Sequence, residues 1–232
     1  IVTLNISLEI GPNAHTYTIA QGTMRNSFQI ASSDVITNEE AMLEPTQITE
    51  HFASAIDYGK AIDEGRGNAL LNYLGRSLDL MLLQDYSEAM QDVEAVIKLS
   101  PNFMLAYFQR AALRYKNLEY QRAEAALNNE SSASRTGVVS PTLLDNVRIQ
   151  YELILQDLTR AIDLSPRFAY AYYNRANIYF ALERTDEAIA DYNEALRLQS
   201  DMADAYFNRG LAYIKNGDVA QGRADISRAG EL

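Results

Sequence analysis

The stretch AYYNRANIYF occupies residues 171–180, and a close copy, AYFNRGLAYI, follows 34 residues later at 205–214. Two earlier stretches have the same character, AYFQRAALRY at 106–115 and NYLGRSLDLM at 72–81, and these are again 34 residues apart. A fixed period of this length is typical of repeat proteins, in which each unit packs only against its neighbours. The sequence therefore predicts a repeat architecture.

Each copy contains the pattern of two amphipathic helices. The four copies begin at Leu70, Met104, Ala169 and Ala203. In both halves of a copy the apolar residues recur at i, i+3, i+4 and i+7, which places them on one side of a helix. Small residues occupy positions where two helices would approach closely, such as Ala176 and Ala188, or Gly210 and Gly222. Each copy is therefore predicted to be a pair of antiparallel helices.

Helix-end signals lie between and after these halves. Asp85 and Asp218 precede second helices and are followed, three residues later, by Glu88 and Gln221. That arrangement is a form of the capping box, with Asp in place of the usual Ser or Thr. Proline follows the second helices of the first two copies, at positions 101 and 166, and is expected to end them.

The third copy carries the clearest version of the repeated pattern. Its aromatic and small residues at fixed positions are Tyr172, Ala176, Tyr179, Ala188, Tyr192 and Ala195. This spacing resembles the tetratricopeptide repeat (TPR), and the resemblance covers about residues 48–232. It implies a mostly α protein, folded as a right-handed α–α superhelix (a TPR solenoid), here with a small N-terminal β segment. It also implies a protein-protein interaction scaffold that holds a peptide or protein segment in a concave groove.

The resemblance sets the predicted domain boundaries. Residues 1–47 form a β-strand segment and linker, and residues 48–232 form the solenoid. The solenoid divides into a half repeat, 48–66, and repeats at 70–103, 104–168, 169–202 and 203–232. The second repeat contains an insertion at about 119–147, and its Ser, Asn and Gly content around 128–141 predicts a loop. Pro141 then begins a helix that is expected to be longer than its counterparts.

The N-terminal segment differs in kind from the repeats. Residues 2–10 alternate apolar and polar side chains, which predicts a half-buried strand, and 15–20 and 27–31 are further strand candidates. A sheet this small is only marginally stable alone. Its apolar face is expected to rest either on the first helices or on sequence outside the chain.

Every copy has Arg at its position 7 and Asp at its position 23. These residues are Arg76, Arg110, Arg175 and Arg209, with Asp92, Asp157, Asp191 and Asp225. The two positions lie on facing helices of one repeat, so an Arg–Asp pair is predicted in each. A functional ladder of charges is one interpretation; a structural pair that sets the angle between two helices is the favoured one.

The composition excludes several classes of function. A formal charge of −11 argues against a nucleic-acid or anionic-membrane surface, and no apolar run is long enough for membrane insertion. The chain has no cysteine, and His15 and His51 lack the spacing of a metal site. Nucleotide-binding and nucleophile motifs are absent as well. The sequence thus predicts neither an enzyme nor a cofactor or metal, and it assigns no compartment.

The resemblance places a binding groove on the first helices of the last two copies. The groove residues that it implies are Tyr170, Tyr173, Asn174, Asn177, Phe180, Asp204, Phe207, Asn208, Leu211 and Ile214. Aromatic side chains supply contact area, and side-chain amides pair with an extended peptide backbone. Because the same side chains also suit sugars, carbohydrate recognition is an alternative. A structural subunit of a larger assembly, such as one in a bacterial cell envelope, is another.

One subset of TPR proteins binds the C-terminal carboxylate of chaperones with paired Asn residues and surrounding Lys and Arg. Asn177 and Asn208 match the Asn pair. Tyr173 and Asp204 occupy two of the positions where basic residues are needed. The sequence therefore does not predict a carboxylate clamp.

The fourth copy stops at Leu232, four positions short of a full repeat. Ile226, Ala229 and Leu232 on its second helix would be uncovered, and a repeat buries its apolar surface only against a neighbour. This end is expected to be covered, either by residues outside the chain or by a second copy in a homodimer.

Overall fold

The computed structural model of this protein describes residues 5–8, 15–18, 45–131 and 141–232. The chain divides into two units, Ile1–Ala133 and Ser134–Leu232, which are described separately below. Within the described ranges the secondary structure is almost entirely helical. The predicted mostly α solenoid fold is confirmed.

The first unit begins with two short strands. Strand β1 (Asn5–Leu8) pairs antiparallel with β2 (His15–Thr18), in a register that places Ile6 opposite Tyr17 and Leu8 opposite His15. These strands lie within the first and second predicted strand segments, at 2–10 and 15–20. The third candidate, at 27–31, lies outside the described residues.

Four helices follow in the first unit: α1 (Pro45–Asp63), α2 (Ala69–Leu82), α3 (Tyr86–Leu99) and α4 (Met104–Ser131). Each helix packs against the next one along the chain. The core between them contains Leu74, Val93 and Phe108, all essentially inaccessible to solvent. His51 joins α1 to α2, because its Nδ1 lies 2.8 Å from Oδ1 of the fully buried Asp79. His51 is therefore a packing residue of the helix pair.

Part of the insertion in the second repeat is helical. Helix α4 continues to Ser131, so residues 128–131, which the composition predicts as loop, are helical. The prediction was wrong there because a helix already under way adds residues at little cost, even when their propensity is modest. Residues 132–140 lie outside the described part of the chain.

The second unit contains α5 (Pro141–Leu164), α6 (Ala169–Ala181), α7 (Thr185–Leu198), α8 (Ala203–Lys215) and α9 (Val219–Glu231). Helix α5 begins at Pro141 and has 24 residues against 13 or 14 in the others, as predicted. Three residues connect α6 to α7 and α8 to α9, so each of these pairs is antiparallel. The core of this unit is built around Tyr173 and Tyr192.

The predicted helix ends are confirmed. Side chains of Asp85 and Asp218 accept hydrogen bonds from the backbone N–H groups of Glu88 and Gln221, both at 3.1 Å. The helices before the two prolines end at Leu99 and Leu164. In the three tight connections, one residue at the same repeat position has positive φ: Gln84 (63°), Glu183 (62°) and Gly217 (93°). That left-handed residue reverses the chain between the two helices of a repeat.

Three of the four predicted Arg–Asp pairs are present, each within one unit. Arg175 donates from Nε and Nη2 to the carboxylate of Asp191, at 2.6 and 2.9 Å, and Arg76–Asp92 and Arg209–Asp225 have the same two-bond geometry. Repeat tyrosines flank the guanidinium groups: the guanidinium carbon of Arg175 lies 5.7 Å from the ring centre of Tyr172 and 5.8 Å from that of Tyr179. The same geometry in three repeats supports the interpretation that the pair is structural and sets the angle between the two helices.

The fourth predicted pair stays a prediction. Arg110 and Asp157 belong to different units of the chain.

Candidate binding groove

The ten predicted groove residues lie on α6 and α8, but they differ in burial. Tyr173, Asn174, Asn177 and Asn208 are buried. Tyr170, Phe180, Asp204 and Leu211 are half-buried, and Phe207 and Ile214 are exposed. The ten residues therefore do not form one solvent-facing surface.

A buried hydrogen-bond network accounts for three of the four buried residues. Tyr192 Oη on α7 donates to Asn177 Oδ1 at 2.6 Å, and Asn208 Nδ2 donates to the same oxygen at 3.0 Å. Asn208 Nδ2 also lies 3.2 Å from Tyr173 Oη. The network joins α6, α7 and α8. Its polar groups are satisfied by the protein itself, so Asn177 and Asn208 hold three helices in register.

Burial also raises the pKa of Tyr192 well above its usual value, and the neighbouring Tyr173 ring contributes to the shift. The Tyr192 hydroxyl therefore stays protonated throughout the physiological pH range and remains the donor to Asn177. The orientation of the Asn177 amide follows from this, because its oxygen must face both donors.

The amide of Asn174 is different. It is 1% exposed, and neither its Oδ1 nor its Nδ2 has a hydrogen-bond partner. One helical turn earlier on α6, the hydroxyl of Tyr170 is also buried without a partner. An unpaired buried polar group costs about 1 to 3 kcal/mol, so two of them on one side of a helix require an explanation.

Helix α8 exposes an apolar stripe made of Phe207, Leu211 and Ile214, which we call the α8 stripe. Phe207 is 40% exposed and Ile214 is 37% exposed. The same repeat positions in the third copy are Tyr173, Asn177 and Phe180. Asn208 on α8 hydrogen-bonds to Tyr173 and Asn177, so α8 covers this face of α6. None of the described helices covers the equivalent face of α8. The α8 stripe is therefore the uncovered stacking face of the last repeat.

Charged groups lie at both ends of the α8 stripe. Asp204 is in the first turn of α8, and Lys215 is in the last. Lys215 Nζ lies 5.3 Å from the ring centre of Phe180 and 3.2 Å from Glu183 Oε1. The sequence pattern did not single out Lys215, because its role depends on the side chains that α6 and its following turn bring near.

A separate open hollow of about 320 Å³ lies on the second unit between α5 and α6. It is lined by Glu152, Leu155, Gln156, Thr159, Arg160, Asp163, Tyr179 and Arg184. Arg184 closes one side, with its guanidinium carbon 4.5 Å from the ring centre of Tyr179. No sequence signal marked this hollow, since it arises from the spacing of two helices.

The described residues provide no group of three or more His, Asp or Glu side chains that could hold a metal ion. Over the same residues, no helix has the length and apolar character needed to cross a bilayer.

Comparison with known proteins agrees with the helix-pair geometry. A family model described as TPR repeat matches residues 176–217, and one described as tetratricopeptide repeat matches residues 158–190. Together the two matches span α6, α7 and α8, which carry the Arg175–Asp191 pair and the Tyr192 network. This chain contains tetratricopeptide repeats.

Curated relatives of this TPR protein match over short segments. It is 32% identical over 83 residues to a TPR repeat-containing thioredoxin, TDX, of Arabidopsis thaliana, covering 36% of this chain and 22% of that protein. It is 38% identical over 76 residues to a Protein SGT1 homolog of Oryza sativa subsp. japonica, covering 33% of this chain and 21% of that protein. The TPR chain thus matches only about a fifth of each of these relatives.

Among solved structures, MamA from Desulfovibrio magneticus RS-1 has a similar fold. The TM-score is 0.60 at 18% identity, with 78% of this chain and 85% of that chain covered. At this identity the likeness concerns the helical solenoid fold alone.

Proposed function

We propose that this TPR protein is a non-enzymatic scaffold that binds an extended segment of a partner protein along α6. The observation that carries the proposal is the pair of unpaired buried groups on that helix, the Asn174 amide and the Tyr170 hydroxyl. An amide with one free donor side and one free acceptor side complements a peptide backbone, which offers both. A peptide that reached these groups on opening of the site would satisfy them and recover their desolvation cost.

Asn177 offers an internal comparison, because it is the same residue type three positions further along α6. Its oxygen is fully engaged by Tyr192 and Asn208. Packing alone does not require an amide at position 174, because the Asn174 side chain forms no hydrogen bond within the protein. A buried polar side chain without a hydrogen-bond partner lowers stability, so a role in ligand binding explains its presence better than a role in the fold does.

Replacing Asn174 by Leu is expected to separate stability from binding. The substitution removes two unsatisfied groups and keeps the number and branching of the side-chain heavy atoms, so the free energy of unfolding should be unchanged or rise by about 1 kcal/mol. Affinity for peptides selected from a random display library on the wild-type protein should fall at least about tenfold, which corresponds to 1.4 kcal/mol. Denaturant unfolding and fluorescence titration measure the two effects.

The matched control is Asn146→Leu, the same change at an exposed position of α5, which should leave peptide affinity unchanged. Equal affinity of the wild type and the Asn174→Leu variant would refute the proposal. So would a wild-type protein that selects no peptide but binds on a glycan array.

We further propose that two copies associate through the α8 stripe. In a two-fold dimer the stripe would pack against its own copy, with the two α8 helices antiparallel. That arrangement places Asp204 of each copy near Lys215 of the other, so the charges at the ends of the stripe are complementary. Burial of Phe207 and Ile214, both now exposed, supplies the apolar contribution.

Sedimentation equilibrium tests this association. The wild-type chain is expected to show a concentration-dependent dimer, and Phe207→Asp should make it monomeric without unfolding it, because residue 207 is at the surface. The double charge reversal Asp204→Lys with Lys215→Asp should retain the dimer. A wild-type monomer at every concentration would rule the dimer out.

A further inference from the structure

Helix α1 in the first unit exposes a line of large apolar side chains, which we call the α1 stripe. Ile48 is 46% exposed, Phe52 is 60% exposed and Ile56 is 44% exposed. They are spaced by four residues and therefore lie along one side of the helix. A different side of α1 carries the buried Ala55 and Tyr58. The helix is thus apolar on two sides, and only one of them is covered by described residues.

The other second helices of the repeats provide a control for this observation. Asp57 of α1 aligns with the repeated Asp of the second helices, so Phe52 and Ile56 have counterparts in each copy. These counterparts are Ser87 and Gln91, Glu152 and Gln156, Asp186 and Ala190, and Ala220 and Ala224. All eight are exposed, and all are polar or small. Large apolar residues on this side are therefore peculiar to α1, and the repeat pattern does not explain them.

The N-terminal hairpin has the complementary property. Its register pairs Ile6 with Tyr17 and Leu8 with His15 at alternate positions. The positions between them pair Asn5 with Thr18 and Ser7 with Thr16. Because alternate residues of a strand belong to opposite faces, the sequence assigns the hairpin one largely apolar face and one wholly polar face. A two-stranded hairpin with one apolar face is marginally stable unless that face is covered.

We propose that the N-terminal hairpin docks on α1, with its Ile6–Leu8 face against the α1 stripe. The dimensions agree: eight helical residues from Ile48 to Ile56 rise about 12 Å, and a four-residue strand is about 13 Å long. The 26 residues between β2 and α1 can reach up to about 90 Å, far more than the docking requires. Attachment through this segment gives the hairpin an effective concentration of about 1 mM at the stripe, which a free partner would have to exceed.

The hairpin is also the only non-helical element among the described residues. Helix α1, whose stripe departs from the repeat pattern, is the next described element after it in the chain. The hairpin has an apolar face that needs a cover, and the α1 stripe is an apolar surface that no described residue covers.

Disulfide trapping tests the proposal cleanly, because the chain contains no cysteine. The pair Leu8→Cys with Phe52→Cys is expected to form an intramolecular disulfide in the full chain at low protein concentration. The matched control is Ser7→Cys with Phe52→Cys, which moves the thiol to the polar face and should react at least about tenfold more slowly. A second pair, Ile6→Cys with Ile56→Cys, guards against an unfavourable geometry at the first.

Thiol trapping followed by mass spectrometry distinguishes the outcomes. Faster intramolecular bridging for the apolar-face pairs supports docking. Equal rates for the polar-face control, or no bridge in either apolar-face pair, overturns it. Intermolecular bridges instead identify a second copy as the occupant of the α1 stripe and also overturn it.

Hydrogen exchange provides a second measurement. Phe52→Ser is expected to speed exchange of the hairpin amides at least about tenfold, because an undocked hairpin opens freely. Gln91→Ser, at the equivalent position of α3, should leave hairpin exchange unchanged. Unaltered exchange in the Phe52→Ser protein contradicts docking, since α1 itself is held by Ala55 and Tyr58 on its other side.

Discussion

Replacing Arg175 by Leu is expected to lower the free energy of unfolding by about 3 kcal/mol. The substitution leaves the Asp191 carboxylate, only 10% exposed, without the two hydrogen bonds that it accepts at 2.6 and 2.9 Å. Burial already raises the pKa of Asp191, and the bonds from Arg175 oppose that shift. Without Arg175 the ionised carboxylate would be buried with little compensation. Contacts of the guanidinium with Tyr172 and Tyr179 are lost as well.

Urea unfolding measures the loss, and an exposed pair supplies the control. Arg197 also forms two hydrogen bonds with a carboxylate, that of Glu194, but its side chain is 66% exposed. Arg197→Leu should therefore change stability little, because solvent screens an exposed pair. The double-mutant cycle of Arg175→Leu with Asp191→Asn should be strongly non-additive. Additive effects would show that the two residues are not energetically coupled, and the structural-pair interpretation would fail.

The substitution Gly210→Ala is expected to destabilise the protein by about 1 to 2 kcal/mol, although alanine favours helices more than glycine does. A Cβ atom at 210 would lie 2.7 Å from the backbone oxygen of Gly222 and 2.9 Å from Cγ1 of Ile226. A backbone oxygen cannot rotate away, so α8 and α9 would have to separate. The first copy carries Ser77 at this position and the second and third carry Ala111 and Ala176, so a glycine here belongs to the fourth copy.

Gly230→Ala is the matched control, since it makes the same chemical change within α9. No atom lies within 4 Å of the added Cβ, so the variant should be as stable as the wild type or slightly more stable. Thermal unfolding of both variants gives opposite signs if close packing is the cause. A similar change in melting temperature for the two variants would mean that helix propensity, and not the α8–α9 contact, determines the effect.

Much of the fold could be predicted because its signals are local. Asp85 and Asp218 cap helices through backbone groups three residues away, and Pro141 starts one, so these boundaries depend on a few neighbouring residues. The Arg175–Asp191 pair joins two helices but was still predictable. A short turn brings residues 16 apart in a helical hairpin together, and the repeat shows the same two residue types each time.

The extent of α4 could not be read in this way. Residues 128–131 have a loop-like composition, yet they are helical, because continuing a formed helix costs less than starting one. Composition reports the average preference of a segment, whereas the end of a helix depends on what precedes the segment and packs against it.

The sequence by itself determined which residues lie on the first helices and on which side of them, because the 34-residue period and the helical period are properties of the chain. Only the tertiary structure decided which of those residues meet solvent and which meet another helix. Asn174 and Asn177 illustrate this, since they are the same residue type three positions apart on α6. One amide is engaged by Tyr192 and Asn208, and the other is buried without a partner. The difference arises because hydrogen bonding across helices depends on which side chains the neighbouring helices bring within about 3 Å, a distance that no one-dimensional pattern contains.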